Sequence, residues 1–253
     1  MTASDRRIFC ALDTTDLDHA VRLARLLGPH LGGVKLGLEF FNAHGPRGVA
    51  EVAESGAKIF LDLKYHDIPN TVAGAVRAAV TSCRPFMLNI HASGGTAMMQ
   101  AAAEAAGEAA ARAGAPRPML IAVTVLTSLD DADLSAVGQL GPASEQVLRL
   151  ADLAQRCGLD GVVCSAREIR SLRGACGPGF TLVVPGIRPA WSGADDQKRV
   201  MTPAQAVRDG ADYLVIGRPI TAAAEPVEAV KRISVEIFAE IAAGQLAEQM
   251  GAR

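Results

Sequence analysis

Two short stretches of this sequence hold charged residues in an arrangement that bears on chemistry. The run Ile59-Phe-Leu-Asp62-Leu-Lys64-Tyr-His-Asp67-Ile-Pro-Asn-Thr71 sets an aspartate and a lysine two residues apart within an apolar, strand-like segment. That spacing on a strand puts Asp62 and Lys64 on one face and Leu61 and Leu63 on the other. Upstream, Val34, Leu36 and Leu38 alternate with Lys35, Gly37 and Glu39, which places a second lysine on the polar face of its own strand. On an enclosed face each isolated charge carries a large desolvation cost and needs a partner. A structural ion pair is one reading. Two enclosed lysines require more than one carboxylate, and Asp67, just past the strand end, supplies a second. The result is an alternating array of Lys35, Asp62, Lys64 and Asp67, a set of preorganised charges around a bound substrate.

A second group suits phosphate. Arg188 and Arg218 end the seventh and eighth strand candidates, where barrels place phosphate sites, and arginine binds phosphate bidentately. Gly217 would let a backbone N–H approach closely. The alternative makes both arginines ordinary surface charges. His19, His30, His44, His66 and His91 form no HExxH or HxxxH pair, so no metal site is expected. His66 and His91 read as structural histidines near the motif. Trp191 and residues 192–198 read as a long loop after Arg188, of the kind that closes over a phosphate.

Positioning these residues requires a repeated scaffold. Short β-branched or apolar runs recur at Ile8 to Asp13, Val34 to Phe40, Ile59 to Tyr65, Met87 to Ala92, Leu120 to Leu126, Gly161 to Ser165, Thr181 to Ile187 and Tyr213 to Gly217. Helical periodicity separates them, at Asp16 to Leu27, Thr71 to Cys83, Ser144 to Cys157, Ala166 to Ala175, Thr202 to Asp209 and Ile220 to Ala243. In the Ala-rich stretch Thr96 to Ala115, Gln100, Glu104, Glu108 and Arg112 share one face, so it reads as an amphipathic helix. Strict β-then-α alternation predicts a parallel sheet. Eight repeats without a linker or composition shift predict a single (β/α)8 TIM barrel, one catalytic domain over residues 1–253. An open Rossmann-like sheet is the alternative, but no GxGxxG follows the first strand; the turn Leu12-Asp-Thr-Thr-Asp16 reads as a helix cap. In a barrel, polar residues at strand ends are the candidates for chemistry. They are Asp13, Lys35, Asp62, Lys64, Asn89, His91, Thr127, Ser128, Ser165, Arg188 and Arg218.

Composition agrees. The chain has 253 residues, 49% hydrophobic and 21% charged, enough to bury a large core. A net charge of −2 with no basic run argues against nucleic acid as a partner. Five cysteines without CxxC spacing argue against a disulfide framework and for a reducing, cytoplasmic setting. No signal peptide or apolar membrane span is apparent.

Asp62-x-Lys64-x-x-Asp67-Ile68-Pro69-Asn70-Thr71 resembles the signature of the orotidine 5′-phosphate decarboxylase family. The resemblance covers nearly the whole chain, through Ala11-Leu12-Asp13, Val34-Lys35-Leu36-Gly37, Leu126-Thr127-Ser128, Pro185-Gly186-Ile187-Arg188-Pro189, Gln197 and Ile216-Gly217-Arg218-Pro219. It implies removal of the C6 carboxylate of orotidine 5′-phosphate to give UMP, with no metal or organic cofactor. It implies that Lys64 stabilises and protonates the C6 carbanion while Asp62 faces the departing carboxylate. Lys35 would hold Asp62 ionised and, with Asp13, bind ribose hydroxyls. Asp67 and Thr71 would reach into a neighbouring subunit's site, making the active unit a homodimer. Thr127 would contact the pyrimidine, and Arg188, Gln197, Gly217 and Arg218 the phosphate. Metal-dependent sugar-phosphate lyases on the same barrel share Asp62, Lys64 and Asp67, but as families they tend to carry an acidic residue in place of Lys35. A non-catalytic nucleotide-phosphate binding barrel would keep the arginines without needing the charged array.

Overall fold

The computed structural model describes residues 4–192 and 201–251, the side chains of 245–251 excepted. Eight strands run β1 (Asp5–Ala11), β2 (Leu31–Gly37), β3 (Lys58–Tyr65), β4 (Met87–His91), β5 (Met119–Val123), β6 (Gly161–Val163), β7 (Thr181–Pro185) and β8 (Tyr213–Ile216). Each pairs in parallel with the next, and β8 returns to β1, closing a barrel in sequence order. Between and after them lie α1 (Leu17–Leu27), α2 (Leu38–Ala53), α3 (Pro69–Cys83), α4 (Gly95–Arg112), α5 (Asp131–Ala136), α6 (Ala143–Arg156), α7 (Ile169–Cys176), α8 (Pro203–Asp209), α9 (Arg218–Thr221) and α10 (Pro226–Gly251). Among the described residues no helix is long and apolar enough to cross a membrane.

The alternation along each strand divides the apolar residues between two cores. Outward-facing Ile8, Cys10, Val34, Leu36, Leu61, Leu88, Ile90, Leu214 and Ile216 pack under the helices. Inward-facing Phe9, Phe60, Met87, Ile121, Val183 and Val215 fill the barrel itself. Phe9 stacks on Phe86 at a ring separation of 5.9 Å and meets Tyr213 edge-on at 5.5 Å. Gly33 makes room for this, because a Cβ there would lie 2.5 Å from the Phe9 ring and 2.3 Å from the Lys58 carbonyl oxygen.

Two departures from the sequence expectation concern the site. The second strand ends at Gly37, not Phe40, and Leu38 opens α2. Glu39 therefore stands exposed on a helix and does not share a strand face with Lys35. A short apolar run with spacing of two fits a strand and the start of a helix equally well. Gly45, at φ 58° just before Pro46, kinks α2 and hides its periodicity in the sequence. The fifth strand ends at Val123 in place of Leu126, which leaves Thr127 in the loop before α5, a helix the periodicity does not announce.

Trp191 is held at the start of its loop by Arg232, whose guanidinium carbon lies 4.5 Å from the ring centroid. Cys10, Cys83, Cys157 and Cys164 are buried, Cys176 is partly so, and all are free thiols.

Candidate active site

Above the apolar fill, at the C-terminal ends of β1 to β4, four charged side chains and one amide come together. Lys35 on β2 places its Nζ 3.0 Å from Asp13 Oδ1 and 3.5 Å from Asp62 Oδ2. Lys64 Nζ lies 2.6 Å from Asp62 Oδ1. The side chains of Lys35 and Asp62 are only 11% and 13% exposed, so their charges are compensated by each other and little by water, whereas Lys64, at 30%, reaches the open space above. In this chain the array therefore runs Asp13–Lys35–Asp62–Lys64. A cavity of about 210 Å³ opens over it, bounded by Lys35, Asp62, Lys64 and Thr127 on the polar side and Phe60, Val123 and Val215 on the apolar side.

The local backbone of β3 explains how two successive inward residues can both serve the site. Leu61 pairs with Leu88 and Tyr65 with Ile90, so β3 spends four residues where β4 spends two. The excess forms a bulge spanning Asp62 to Lys64, which redirects side chains at a barrel rim. Lys64 adopts a left-handed φ of 51°. For a residue other than glycine that conformation costs roughly 1–3 kcal/mol and persists only where surrounding contacts impose it. Here the Lys64 amide donates to Asn89 Oδ1 at 2.8 Å, while Asn89 Nδ2 donates to Asp62 Oδ1 at 2.7 Å.

Burial alone would raise the Asp62 carboxyl pKa; Lys35 first, then Lys64 and the hydrogen bonds from Lys64 and Asn89, outweigh it and hold the group below the ordinary carboxylate range. Asp62 is thus an anion at neutral pH despite its enclosure. His91, at the end of β4, titrates below the ordinary histidine value because of burial, then of His66 and Lys64. The two imidazole rings sit 5.4 Å apart. At Gly37 a Cβ would come within 3.1 Å of Lys35 Nζ, so the absence of a side chain leaves that ammonium its position.

The remaining candidates occupy other parts of the same end. Asp67 stands apart from the array: it is exposed, and its Oδ1 accepts from the Ile68 amide at 2.6 Å. The second carboxylate within the array, the place the motif gives to Asp67, is taken in this chain by Asp13, which faces Lys35. Thr71 lies exposed in the first turn of α3. Thr127 borders both the small cavity and a wider groove of about 1180 Å³ that runs past Ser128, Ser165 and Gly186. Arg188 follows β7, its amide donating to the Met201 carbonyl at 3.2 Å. Gly217 and Arg218 follow β8 and begin α9. Gln197 lies outside the described residues. Among those residues no three of His, Cys, Asp or Glu gather as a metal site would need. The sequence reading puts Asn89 at a strand end but gives it no part in the array. An Asn between Leu88 and Ile90, on the face that alternation turns inward, is the signal that marks it, since a buried amide must be hydrogen-bonded.

A closed parallel barrel, with an ionic array across the ends of its first strands and arginines after its last two, defines a (β/α)8-barrel enzyme that works at the strand C-termini. Comparison with known proteins narrows the class. Residues 6–233 match the family model described as Orotidine 5'-phosphate decarboxylase / HUMPS family. A Rhodospirillum rubrum protein named orotidine 5'-phosphate decarboxylase is 57% identical over 231 residues, 91% of this chain and 93% of its own length. A Moorella thermoacetica protein of the same name is 57% identical over 238 residues, 94% of each chain. The crystal structure of orotidine 5'-phosphate decarboxylase from Lactobacillus acidophilus superposes with a TM-score of 0.79 at 38% identity, covering 92% of this chain and 99% of that one. The chain belongs to the orotidine 5′-phosphate decarboxylase / HUMPS family.

Proposed function

We propose that this chain, acting as one domain, decarboxylates orotidine 5′-phosphate to UMP and CO2 without metal or organic cofactor, completing de novo UMP synthesis. The observation that carries the reading is the Lys64 ammonium, 2.6 Å from an ionised Asp62 and facing the cavity. The bond from C6 to its carboxylate breaks, CO2 leaves, and the electron pair remains on C6 beside Lys64 Nζ. That ammonium then gives C6 a proton and recovers one from solvent.

Magnitudes decide what Asp62 contributes. A substrate carboxylate about 4 Å from Asp62 feels roughly 4 kcal/mol of repulsion at an effective dielectric near 20. Cofactor-free loss of CO2 to a poorly delocalised carbanion calls for stabilisation near the top of the enzymatic range, roughly 20 kcal/mol. Repulsion is therefore the smaller contribution, and the fixed Lys64 charge, with phosphate binding energy used to orient the base, is the larger. Lys35 keeps Asp62 ionised and, with Asp13, takes the ribose hydroxyls. Thr127 meets the pyrimidine, and Arg188, Gln197, Gly217 and Arg218 hold the phosphate.

We assign the working unit to a homodimer in which Asp67 and Thr71 enter the partner subunit's site. Support comes from the exposure of Asp67 away from its own array, beside Ile68, which is 66% exposed. Free, mostly buried thiols fit a cytoplasmic enzyme, and the charge balance fits one with no nucleic-acid or membrane partner. The test is to follow the absorbance of orotidine 5′-phosphate in EDTA-treated buffer: steady loss with formation of UMP is expected. Activity that vanishes with EDTA and returns with magnesium would turn the assignment to the sugar-phosphate lyases. Mixing inactive Lys64→Ala and Asp67→Ala subunits should restore part of the activity through hybrid dimers. No recovery after demonstrated subunit exchange would remove the shared site.

A further inference from the structure

We propose that Asn89 is a positioning residue for the array, one carboxamide that fixes both the strained backbone of Lys64 and the orientation and ionisation of Asp62. For its kinetic consequence the inference rests on the decarboxylase reading above; its structural half rests on geometry alone.

Asn89 is fully buried in the middle of β4, between Leu88 and Ile90. A polar side chain there must have its hydrogen bonds satisfied, and both ends of this one are used on β3. Oδ1 accepts from the Lys64 amide at 2.8 Å, and Nδ2 donates to Asp62 Oδ1 at 2.7 Å. Residues within a bulge drop out of the strand ladder. At Lys64 the side-chain oxygen of Asn89 stands where a strand carbonyl would otherwise be. The carboxamide is planar, so the same group that holds the left-handed turn at Lys64 sets where the Asp62 carboxylate sits.

The consequence for charge is specific. Asp62 Oδ1 receives Asn89 Nδ2 and Lys64 Nζ, which leaves Oδ2 toward Lys35, 3.5 Å away. Asn89 thereby decides which oxygen serves which lysine. Only a neutral group with one donor and one acceptor at this reach does both jobs. A carboxylate would accept from Lys64 but repel Asp62, and an aliphatic residue of the same size would leave the Lys64 amide without its partner.

The test compares Asn89→Leu and Asn89→Asp with the unaltered chain. Because the amide lies beneath the array, Asn89→Leu should lower kcat roughly 100-fold, the scale of an ångström-sized misplacement, with little change in UMP affinity. A donor to a carboxylate favours its charged form, so losing it should also move the Asp62 titration, read by carbon-13 NMR with Asp62→Asn as assignment control, to higher pH. In Asn89→Asp the facing carboxylates should carry the acid limb of kcat upward in pH. A purely structural role would lower the melting temperature and leave kcat per folded molecule and the titration where they are; either result in a folded Asn89→Leu overturns the proposal. Should Asn89→Leu not fold, Asn89→Asp is judged by the same two readouts. A chain that never turns over orotidine 5′-phosphate would remove the decarboxylase reading, and the Asp62 titration would then decide the role of Asn89 by itself.

Discussion

Along β3 the inward residue Phe60 is 2% exposed and belongs to the apolar cluster inside the barrel, while the next inward residue, Asp62, is held by two lysines and an amide. The same step is taken on β2, from Gly33 to Lys35, and on β4, from Met87 to Asn89. One barrel thus has an apolar floor and an ionic layer directly above it. The floor can be any close-packed apolar filling, because dispersion and burial are non-directional. The layer above tolerates no such freedom, since each of its charges is stable only at the distance and angle its partner provides.

The sharpest way to separate the two is to damage the floor alone. Phe9→Ala removes a ring that meets Phe60, Phe86 and Tyr213, and it should cost about 3–5 kcal/mol of stability. Turnover per folded molecule should nevertheless stay close to that of the unaltered chain, measured well below the new melting temperature. Equal losses in both would merge the two regions into one functional unit.

After β8, which lies beside β1, Arg218→Ala should weaken UMP by about 1.5–3 kcal/mol, the scale of a hydrogen bond to a charged group, while barely altering uridine. Titration calorimetry with the two ligands checks this, and similar losses for both would withdraw Arg218 from the phosphate site.

A smaller effect lies in pH. Asp62 has a folded-state pKa below its ordinary value, so its contribution to stability is fully present above the unfolded value, roughly 3.9. That contribution is lost as pH falls through the lower, folded value. Denaturant midpoints of the unaltered chain and of Asp62→Asn should keep a constant separation at neutral pH. Below about pH 4 the unaltered chain should lose stability more steeply. Parallel curves throughout the acid range would mean that Asp62 is not held ionised by its neighbours.

The two regions also differed in how far the sequence disclosed them. Floor and helix-facing core follow from alternation, which is local, and so the eight strands and the inward direction of Lys35, Asp62 and Lys64 are legible at a spacing of two. What the sequence withholds depends on how one strand slides against its neighbour. The two-residue excess of β3 over β4, the left-handed Lys64 and the two hydrogen bonds of Asn89 all arise from that register. For the same reason the array's second carboxylate, expected at Asp67 from the motif, is Asp13 within the chain: β1 lies against β2 in space, with Ala11 opposite Lys35. The start of α2 at Leu38 escaped because its first residues continue the apolar spacing of β2.

We assign the chemistry to the ionic layer, acting through the ammonium of Lys64. The most direct test of that assignment is single-turnover decarboxylation of orotidine 5′-phosphate by Lys64→Ala, at enzyme concentrations that saturate the ligand in a parallel binding assay. The expected result is a folded protein that still binds UMP and has lost more than about 10³-fold in rate, beyond the loss of a typical single charge-stabilising donor. A Lys64→Ala protein that decarboxylates at the unaltered rate would contradict it.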